Sequence, residues 1–343
     1  MEFGKTGSIA DIPFLAKTDL RGRFLASTLF YDGNEWQMWM PIEPPERLVK
    51  IRAWPAESFY FSTSPESEND LCSEFLNFIA QVANLQSVQR PFSAIQDDIF
   101  NLSASLAKLP ILHSSTQSPG TTRLAATEVE YILFICRSVF DLLQEVIKRL
   151  WDTVHLTDPA IKKKELKKSF ADMILHAKVP RTAEQMADRF NLPMPLAECY
   201  ERHTPMFLKI RQFRDDLVHR GHRLQTIFSG ENEFLITKRL GSFRDINIWR
   251  DDEIITNGLA PLAPVLNLII NGTLTACEDF ALTLGPTIKW HEPTVPNMKL
   301  YMRGYYNESL KRAFADAASR LSEGRSLVAS IRHSALSFLR VKS

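Results

Sequence analysis

The stretch TEVEYILFICRSVFDLLQEVIKRLWDTV, residues 127–154, decides the fold class of this chain. Its apolar residues recur every three or four positions, which predicts a helix with one apolar stripe. Polar residues share a second face, on which Arg137 and Asp141 are spaced to pair. Such a long two-faced helix predicts a helical bundle. The stripe comprises Val129, Ile132, Leu133, Cys136, Val139, Phe140, Leu143, Ile147 and Leu150, and the polar face adds Glu130, Gln144 and Lys148.

Further helices are predicted on both sides of this stretch from the same periodicity. They cover residues 67–109, with an interruption at Pro91, and residues 182–190, 196–220 and 264–284. The helix predicted over residues 182–190 begins with a capping box from Thr182 to Gln185. A lysine run, KKKELKK, is predicted to start another helix; it could contact phosphate, but it is more typical of a solvated helix face.

Two hairpins are predicted beside the helices. One covers residues 28–42 around Asp32 and Gly33, and the other follows the 196–220 helix, with its turn near residues 229–232. The predicted fold is therefore mainly α, an antiparallel helical bundle with a small β-hairpin insertion and a small N-terminal α+β segment. The predicted divisions are residues 1–120, the helical domain 121–285 and a basic C-terminal helical extension, 286–343.

Composition excludes several classes of protein. The 343 residues are 45% apolar and 24% charged, with a net charge of +1, which rules out a disordered chain and a uniformly basic nucleic-acid coat. The charge is unevenly placed, because residues 1–120 are acidic, 121–296 neutral and 297–343 basic. Four widely spaced cysteines predict free, mostly buried thiols in a reducing compartment.

Nothing in the sequence predicts export or a membrane. The first residues lack a basic region followed by an apolar stretch, and prolines, asparagines and carboxylates break the apolar segment 259–284. We therefore expect a soluble, cytoplasmic protein. Phosphate-binding loops, nucleophile elbows and zinc-protease motifs are also missing from the sequence, which disfavours those chemistries.

The chemically informative segment is IRQFRDDLVHRGH, residues 210–222. On a helix, Arg211, Asp215, His219 and His222 lie along one stripe, at spacings of four, four and three. The Asp215 carboxylate could orient the His219 imidazole. Arginine binds phosphate and histidine exchanges protons near neutral pH, so the set suits RNA cleavage by the 2′-hydroxyl without a metal.

Arg214 does not share that stripe. It lies roughly 140° around the helix from His219, so the two side chains of one straight helix could not readily contact the same small chemical group. Two copies facing each other, or a kink near Gly221, could bring an arginine and a histidine together.

The six residues Arg214-Asp215-Asp216-Leu217-Val218-His219 resemble the R-x4-H motif of the HEPN superfamily (higher eukaryotes and prokaryotes nucleotide-binding). In that family the motif lies near the end of a long helix in a helical bundle, and aspartate is a common residue after the arginine. An earlier helix often carries a polar face similar to that of Glu130, Arg137 and Asp141. The resemblance covers residues 121–285.

The resemblance implies a metal-independent endoribonuclease, a hydrolase acting in toxin–antitoxin, phage-defence or RNA-processing systems. Arg214, Asp215 and His219 would be its catalytic residues, in a cleft where two motifs of a homodimer meet. It implies RNA as substrate, an antitoxin or other regulatory protein as a further partner, and neither a cofactor nor a metal. The candidate RNA-binding residues are Arg211, Arg220, His222 and Arg223.

Other interpretations stay open at this point. The segment could be an exposed helix face with Arg211–Asp215 and Asp215–His219 contacts, or His219 and His222 could bind a metal if a third ligand were present. The protein could also be a non-catalytic helical adaptor that binds nucleotide, RNA or a partner protein. In the basic tail, tyrosines beside cations suit single-stranded RNA, but its apolar residues equally suit docking.

Overall fold

A computed structural model describes residues 2–7, 28–31, 36–43, 47–52, 57–115, 120–219, 227–238 and 246–327. The chain divides into two compact units, Met1–Ser58 and Phe59–Ser343. The predicted boundary at residue 120 falls inside the second unit, because the helices on its two sides pack extensively on each other.

The first unit contains a four-stranded antiparallel sheet with the strand order β1-β4-β3-β2. Strands β2 and β3 pair with Thr28 opposite Trp39, which confirms the strands of the first predicted hairpin. Residues Asp32 and Gly33, its predicted turn, lie outside the described residues. The strands are β1 Glu2–Gly7, β2 Thr28–Tyr31, β3 Trp36–Glu43 and β4 Arg47–Arg52.

The described part of the second unit contains eight α-helices and is mainly α, as predicted. Its longest helix, α3, begins six residues before the predicted start and buries the predicted apolar stripe. The helices are α1 Glu74–Val82, α2 Gln86–Ser115, α3 Thr121–Thr153, α4 Phe170–Ile174, α5 Ala183–Phe190, α6 Met194–His219, α7 Ala263–Thr287 and α8 Asn307–Ser322. None of them has an apolar stretch long enough to cross a membrane.

The predicted interruption at Pro91 is wrong, because helix α2 runs through this residue. Proline has no N–H and leaves the carbonyl one turn earlier without its helical donor. That carbonyl belongs to Ser87, and the Arg149 guanidinium of α3 donates to it at 2.6 Å. A tertiary contact thus replaces the missing helical hydrogen bond.

The lysine run does not begin a helix, contrary to the prediction. Residues 161–167 have no regular structure, and α4 begins only at Phe170. The ammonium of Lys163 donates to the carbonyls of Trp151 and Val154, both at 2.5 Å, at the C-terminal end of α3. Leu166 of the same segment is buried. The run is therefore an irregular segment held against α3 rather than a helix, and its lysine side chains are exposed, as a solvated surface requires.

Aromatic rings hold α3, α4, α6 and α7 together. Phe170 contacts Phe140, Phe207 and Phe280, with centroids 5.0 to 6.1 Å apart, and Tyr200 meets Phe280 at 4.8 Å. All five side chains are buried. The predicted capping box at Thr182 is present at the start of α5. This packing fixes α6, the helix that carries the motif, against α3 and α7.

Short strands complete the second unit. Strands β9 Ile227–Ser229 and β10 Phe234–Thr237 pair antiparallel, which confirms the second predicted hairpin, and β11 Leu259–Pro261 adds a third strand. A separate two-stranded pair, β7 Leu175–His176 with β8 Val179–Pro180, precedes α5.

The predicted C-terminal extension, 286–343, is not helical from its start. Residues Lys299–Arg303 form strand β12, the middle strand between β5 Ser58–Ser62 and β6 Leu71–Cys72. Leu300, Tyr301 and Met302 are buried, so this segment belongs to the core rather than to an appendage. The helix α8 follows, and residues 328–343 lie outside the described residues.

Candidate functional site

The R-x4-H motif occupies the last two turns of α6, as the sequence predicts. The backbone positions of Arg214, Asp215 and His219 therefore lie on one helix. The side chains of Arg214 and His219 lie outside the described residues, and so do the predicted RNA-binding residues Arg220, His222 and Arg223 in full.

Arg211 and Asp215 are the two predicted site residues whose side chains the structure describes. The Nε atom of Arg211 lies 3.5 Å from Oδ2 of Asp215, and the two side chains are 38% and 37% exposed. An ion pair this exposed contributes about 1 kcal/mol or less to stability. Both charged groups are thus presented at the surface, beside the backbone of the motif.

Contacts between α3 and α6 show which part of α3 lies beside the motif. The Tyr200 hydroxyl donates to Oε1 of Gln144 at 2.7 Å, and the Arg137 guanidinium lies 4.4 Å from the Phe207 ring centre. From the first contact to the second, the residue number rises by seven on α6 and falls by seven on α3. The two helices are therefore antiparallel. Continued by another seven residues along each helix, the same register would bring Glu130 level with the backbone of Arg214.

The predicted polar face of α3 has two parts with different environments. Nη1 of Arg137 lies 2.5 Å from Oδ2 of Asp141, and Oδ1 of Asp141 accepts the backbone N–H of Phe170 at 3.4 Å. Arg137 is also stacked on Phe207, so this part binds α3 to α4 and α6. Glu130 is half-buried and forms no ion pair with a described cation. Glu130 is therefore a polar group of α3 that is not used in the described packing of α3 against α4 and α6.

Three large apolar side chains are exposed on the same half of α3. Leu124 is 54% exposed, and Tyr131 and Phe134 are each 45% exposed. At 100° per residue around the helix axis, the three side chains lie within an arc of roughly 80°, and Glu130 lies just outside one edge of that arc. An apolar face therefore adjoins the polar group at the level of the motif.

Two buried carboxylates on α7 were not singled out by the sequence analysis. Glu278 accepts the Ser73 hydroxyl at 2.5 Å and the backbone N–H groups of Glu74 and Phe75, so it caps helix α1. Burial raises the pKa of Glu278 to about 7. Asp279 accepts from Nε2 of His203 at 2.9 Å and from Arg202 at 3.3 Å.

These carboxylates have structural roles. The sequence contains a signal for these roles, because the two carboxylates interrupt an otherwise apolar helix and a buried charge needs a partner. Cys199, one turn before His203, is also buried, which raises the pKa of its thiol to about 12 and makes it a poor nucleophile. The other three thiols are free as well, with Cys136 and Cys277 buried and Cys72 half-buried.

The tyrosines of the predicted RNA-binding tail are divided between core and surface. Tyr301 is buried and stacks on Tyr60, and Arg303 donates to Asp70 at 3.0 and 2.7 Å. Tyr305 is 73% exposed. Part of the predicted base-stacking platform is therefore used for packing within the protein.

No family model, no curated protein and no solved structure matches this chain. Within the described residues, no group of three histidine, cysteine or carboxylate side chains could hold a metal ion. The resemblance to the HEPN superfamily therefore depends on the motif and on its position at the end of a long bundled helix.

Proposed function

We propose that the protein is a metal-independent endoribonuclease of the HEPN type. The observation that carries the proposal is the register between α3 and α6. Continued by seven residues, this register would bring the backbone of Arg214 level with the half-buried Glu130, next to the exposed apolar face. An arginine, a carboxylate and an apolar surface side by side suit a site that a second copy of the chain completes.

The chemistry assigns one role to each motif residue. The His219 imidazole accepts the proton of a ribose 2′-hydroxyl, and the 2′-oxygen forms a bond to the adjacent phosphorus. The bond from phosphorus to the 5′-oxygen breaks, and the partner subunit's His219 supplies the proton that this oxygen takes up. Arg214 stabilises the charge on the phosphorane oxygens, and Asp215 orients the imidazole. The products are a 2′,3′-cyclic phosphate and a 5′-hydroxyl.

RNA cleavage by purified full-length protein in excess chelator tests this proposal. We expect His219→Ala to slow cleavage about 10²- to 10⁴-fold and Arg214→Ala about 10²- to 10³-fold, with unchanged melting temperatures. Gln212→Ala is the matched control, because Gln212 is an exposed residue of the same helix outside the motif. Absence of cleavage by the wild type, or equal cleavage by all variants, would reject the enzyme.

The exposed face formed by Leu124, Tyr131 and Phe134 is the proposed homodimer contact. A dimer through this face would bring two motifs together and remove the roughly 140° separation of Arg214 and His219 on one helix. We expect Phe134→Asp to yield a monomer in sedimentation and to abolish cleavage. Leu282→Asp, at an exposed leucine of α7, should change neither property. A Phe134→Asp variant that remains dimeric would exclude this face as the contact.

A non-catalytic adaptor is the second candidate function. It is favoured by the Arg211–Asp215 pair, because a carboxylate held by a neighbour on its own helix is typical of a solvated face. Binding of RNA or nucleotide without turnover, unchanged in His219→Ala, would support the adaptor. For either function we propose a cytoplasmic setting, and for the enzyme a place in toxin–antitoxin, phage-defence or RNA-processing systems, with a regulatory protein as partner.

A further inference from the structure

A cleft with two lobes lies in the second unit, away from the motif-bearing end of α6. Its walls are the turn between β9 and β10, residues 252–255, the first turn of α7, the end of α2 and helix α8. One lobe has a volume of about 510 Å³ and the other about 300 Å³. Asn232, Glu233, Ala263 and Asn267 line both lobes, so the two form one continuous cleft.

The larger lobe is strongly acidic. The charged residues that line it are Glu231, Glu233, Asp252, Glu253, Asp316 and Arg320. Five carboxylates and one guanidinium give a formal charge of −4. The Arg320 side chain is buried and donates four hydrogen bonds, two to Glu253, one to Asp316 and one to the Ile248 carbonyl.

Three of these carboxylates, those of Glu231, Glu233 and Asp252, form no ion pair with a described cation. Glu231 and Asp252 are exposed at the mouth of the lobe. Glu233 is exposed as well, but partial desolvation together with the nearby Glu253 raises its pKa. The lobe therefore has more negative charge than its own walls neutralise, which favours a cationic occupant.

The smaller lobe is mainly apolar. Leu106 and Leu109 of α2, Phe234 of β10 and Leu266 of α7 line it. His113 closes one side, where its Nε2 atom lies 3.0 Å from the Gly230 carbonyl oxygen and its ring meets that of Phe234 edge-on. An occupant of the whole cleft would therefore need a cation within reach of an apolar side chain.

The last described residues of the chain are linked to the wall of the acidic lobe through Trp249. Arg325 donates to the Trp249 carbonyl, and the Trp249 indole donates at 2.8 Å to the carbonyl of Pro261, which lines the lobe. The described chain ends two residues later, at the buried Leu327. The segment 328–343 is thus attached three residues beyond Arg325, which is linked through Trp249 to the cleft wall.

That segment has the composition that the cleft requires. Residues 328–343, VASIRHSALSFLRVKS, contain Arg332, Arg340 and Lys342 but no carboxylate side chain, and apolar residues separate the cations. Arg332 is five residues beyond Leu327, within roughly 17 Å of extended chain. Because the segment is covalently attached, its effective concentration at the cleft is in the millimolar range, so a weak contact suffices for occupancy.

We propose that this cleft binds the basic segment 328–343 of the same chain, with a cationic side chain in the acidic lobe and an apolar side chain in the smaller lobe. The tail would then be held against its own protein rather than presented to RNA. This assignment does not depend on ribonuclease activity.

Limited trypsin digestion of the full-length protein tests the proposal, with cleavage after Arg332 followed by intact mass. The triple variant Glu231→Gln, Glu233→Gln, Asp252→Asn should be cleaved about tenfold faster, since weaker docking raises the open population that the protease attacks. The matched control is Glu165→Gln, Glu198→Gln, Glu201→Gln, which makes the same charge change at exposed sites outside the cleft. It should be cleaved at the wild-type rate.

Equal rates in all three proteins would overturn the proposal. Protection of Arg332 from trypsin only in the presence of RNA would also overturn it, because the tail would then bind RNA rather than the cleft. Zero-length carbodiimide crosslinking gives a second readout, and we expect an amide between Lys342 and Glu231, Glu233 or Asp252. In a mixture of isotopically light and heavy protein, crosslinks that join two copies instead of one would also overturn it.

Discussion

The two halves of helix α6 differ in how their polar groups are used. In the first half, Tyr200 and His203 are buried and bond to Gln144 of α3 and Asp279 of α7. In the second half, Arg211 pairs with Asp215 at the surface. The same helix thus supplies internal hydrogen bonds at one end and surface charges at the other. Tyr200 and His203 near its start therefore stabilise the fold, whereas Arg211 and Asp215 near its end lie at the surface.

The sharpest test of this contrast removes one aspartate from each environment. Asp279→Ala should lower the free energy of unfolding by about 3 kcal/mol, because the buried His203 loses its partner. Asp215→Ala should lower it by less than about 1 kcal/mol, because its ion pair is exposed to water. Urea denaturation at one pH measures both. Equal losses would mean that the two halves do not differ in this way.

A smaller effect is expected from Glu278, the buried neighbour of Asp279. Its pKa is raised to about 7 in the folded protein by burial, so the folded state holds a proton that the unfolded chain releases near pH 4.5. The stability that this group contributes is full below about pH 4.5 and is lost as the pH rises through about 7.

Glu278→Gln should abolish this dependence. Relative to wild type, we expect the variant to gain stability between pH 5 and pH 8, by at most about 3 kcal/mol. Urea denaturation of the wild type and of Glu278→Gln across this pH range measures the gain as a difference in the free energy of unfolding. Glu165→Gln, at an exposed carboxylate, should show no such pH-dependent difference. A difference that is constant with pH would contradict the raised pKa.

The smallest effect is expected at the lysine run, which combines both kinds of environment in one segment. Lys163→Met should lower the free energy of unfolding by about 1 kcal/mol, because Lys163 donates to the last carbonyls of α3. Lys162→Met, at the exposed residue next to it, should have no measurable effect. Equal melting temperatures for the two variants would mean that the Lys163 contacts add no stability and that the run is only the solvated surface that the sequence predicts.

Local patterns predicted the local elements well. The apolar stripe of residues 127–154, the capping box at Thr182 and the second hairpin all describe interactions between residues close in sequence, and the structure contains each of them. The predicted Arg137–Asp141 pair is also present. Such patterns succeed because helix and hairpin geometry depends mainly on neighbouring residues.

The errors arose where a distant residue decides the local conformation. Pro91 remains helical because Arg149, from another helix, supplies its missing hydrogen bond. Residues 299–303 form a strand because two other strands flank them. The acidic cleft has the same origin, since its carboxylates come from the β9–β10 turn, residues 252–253 and α8. No pattern within a window of sequence contains such information.

The sequence by itself determined that the protein is mainly α and that its one R-x4-H motif ends a long helix, because periodicity and spacing are properties of the chain. Only the tertiary structure decided which polar groups are consumed by packing and which face solvent. Arg137 and Asp279 are bound inside the protein, whereas Asp215 and Glu231 remain at the surface. Burial depends on contacts between helices far apart in sequence, and those contacts exist only in the folded chain.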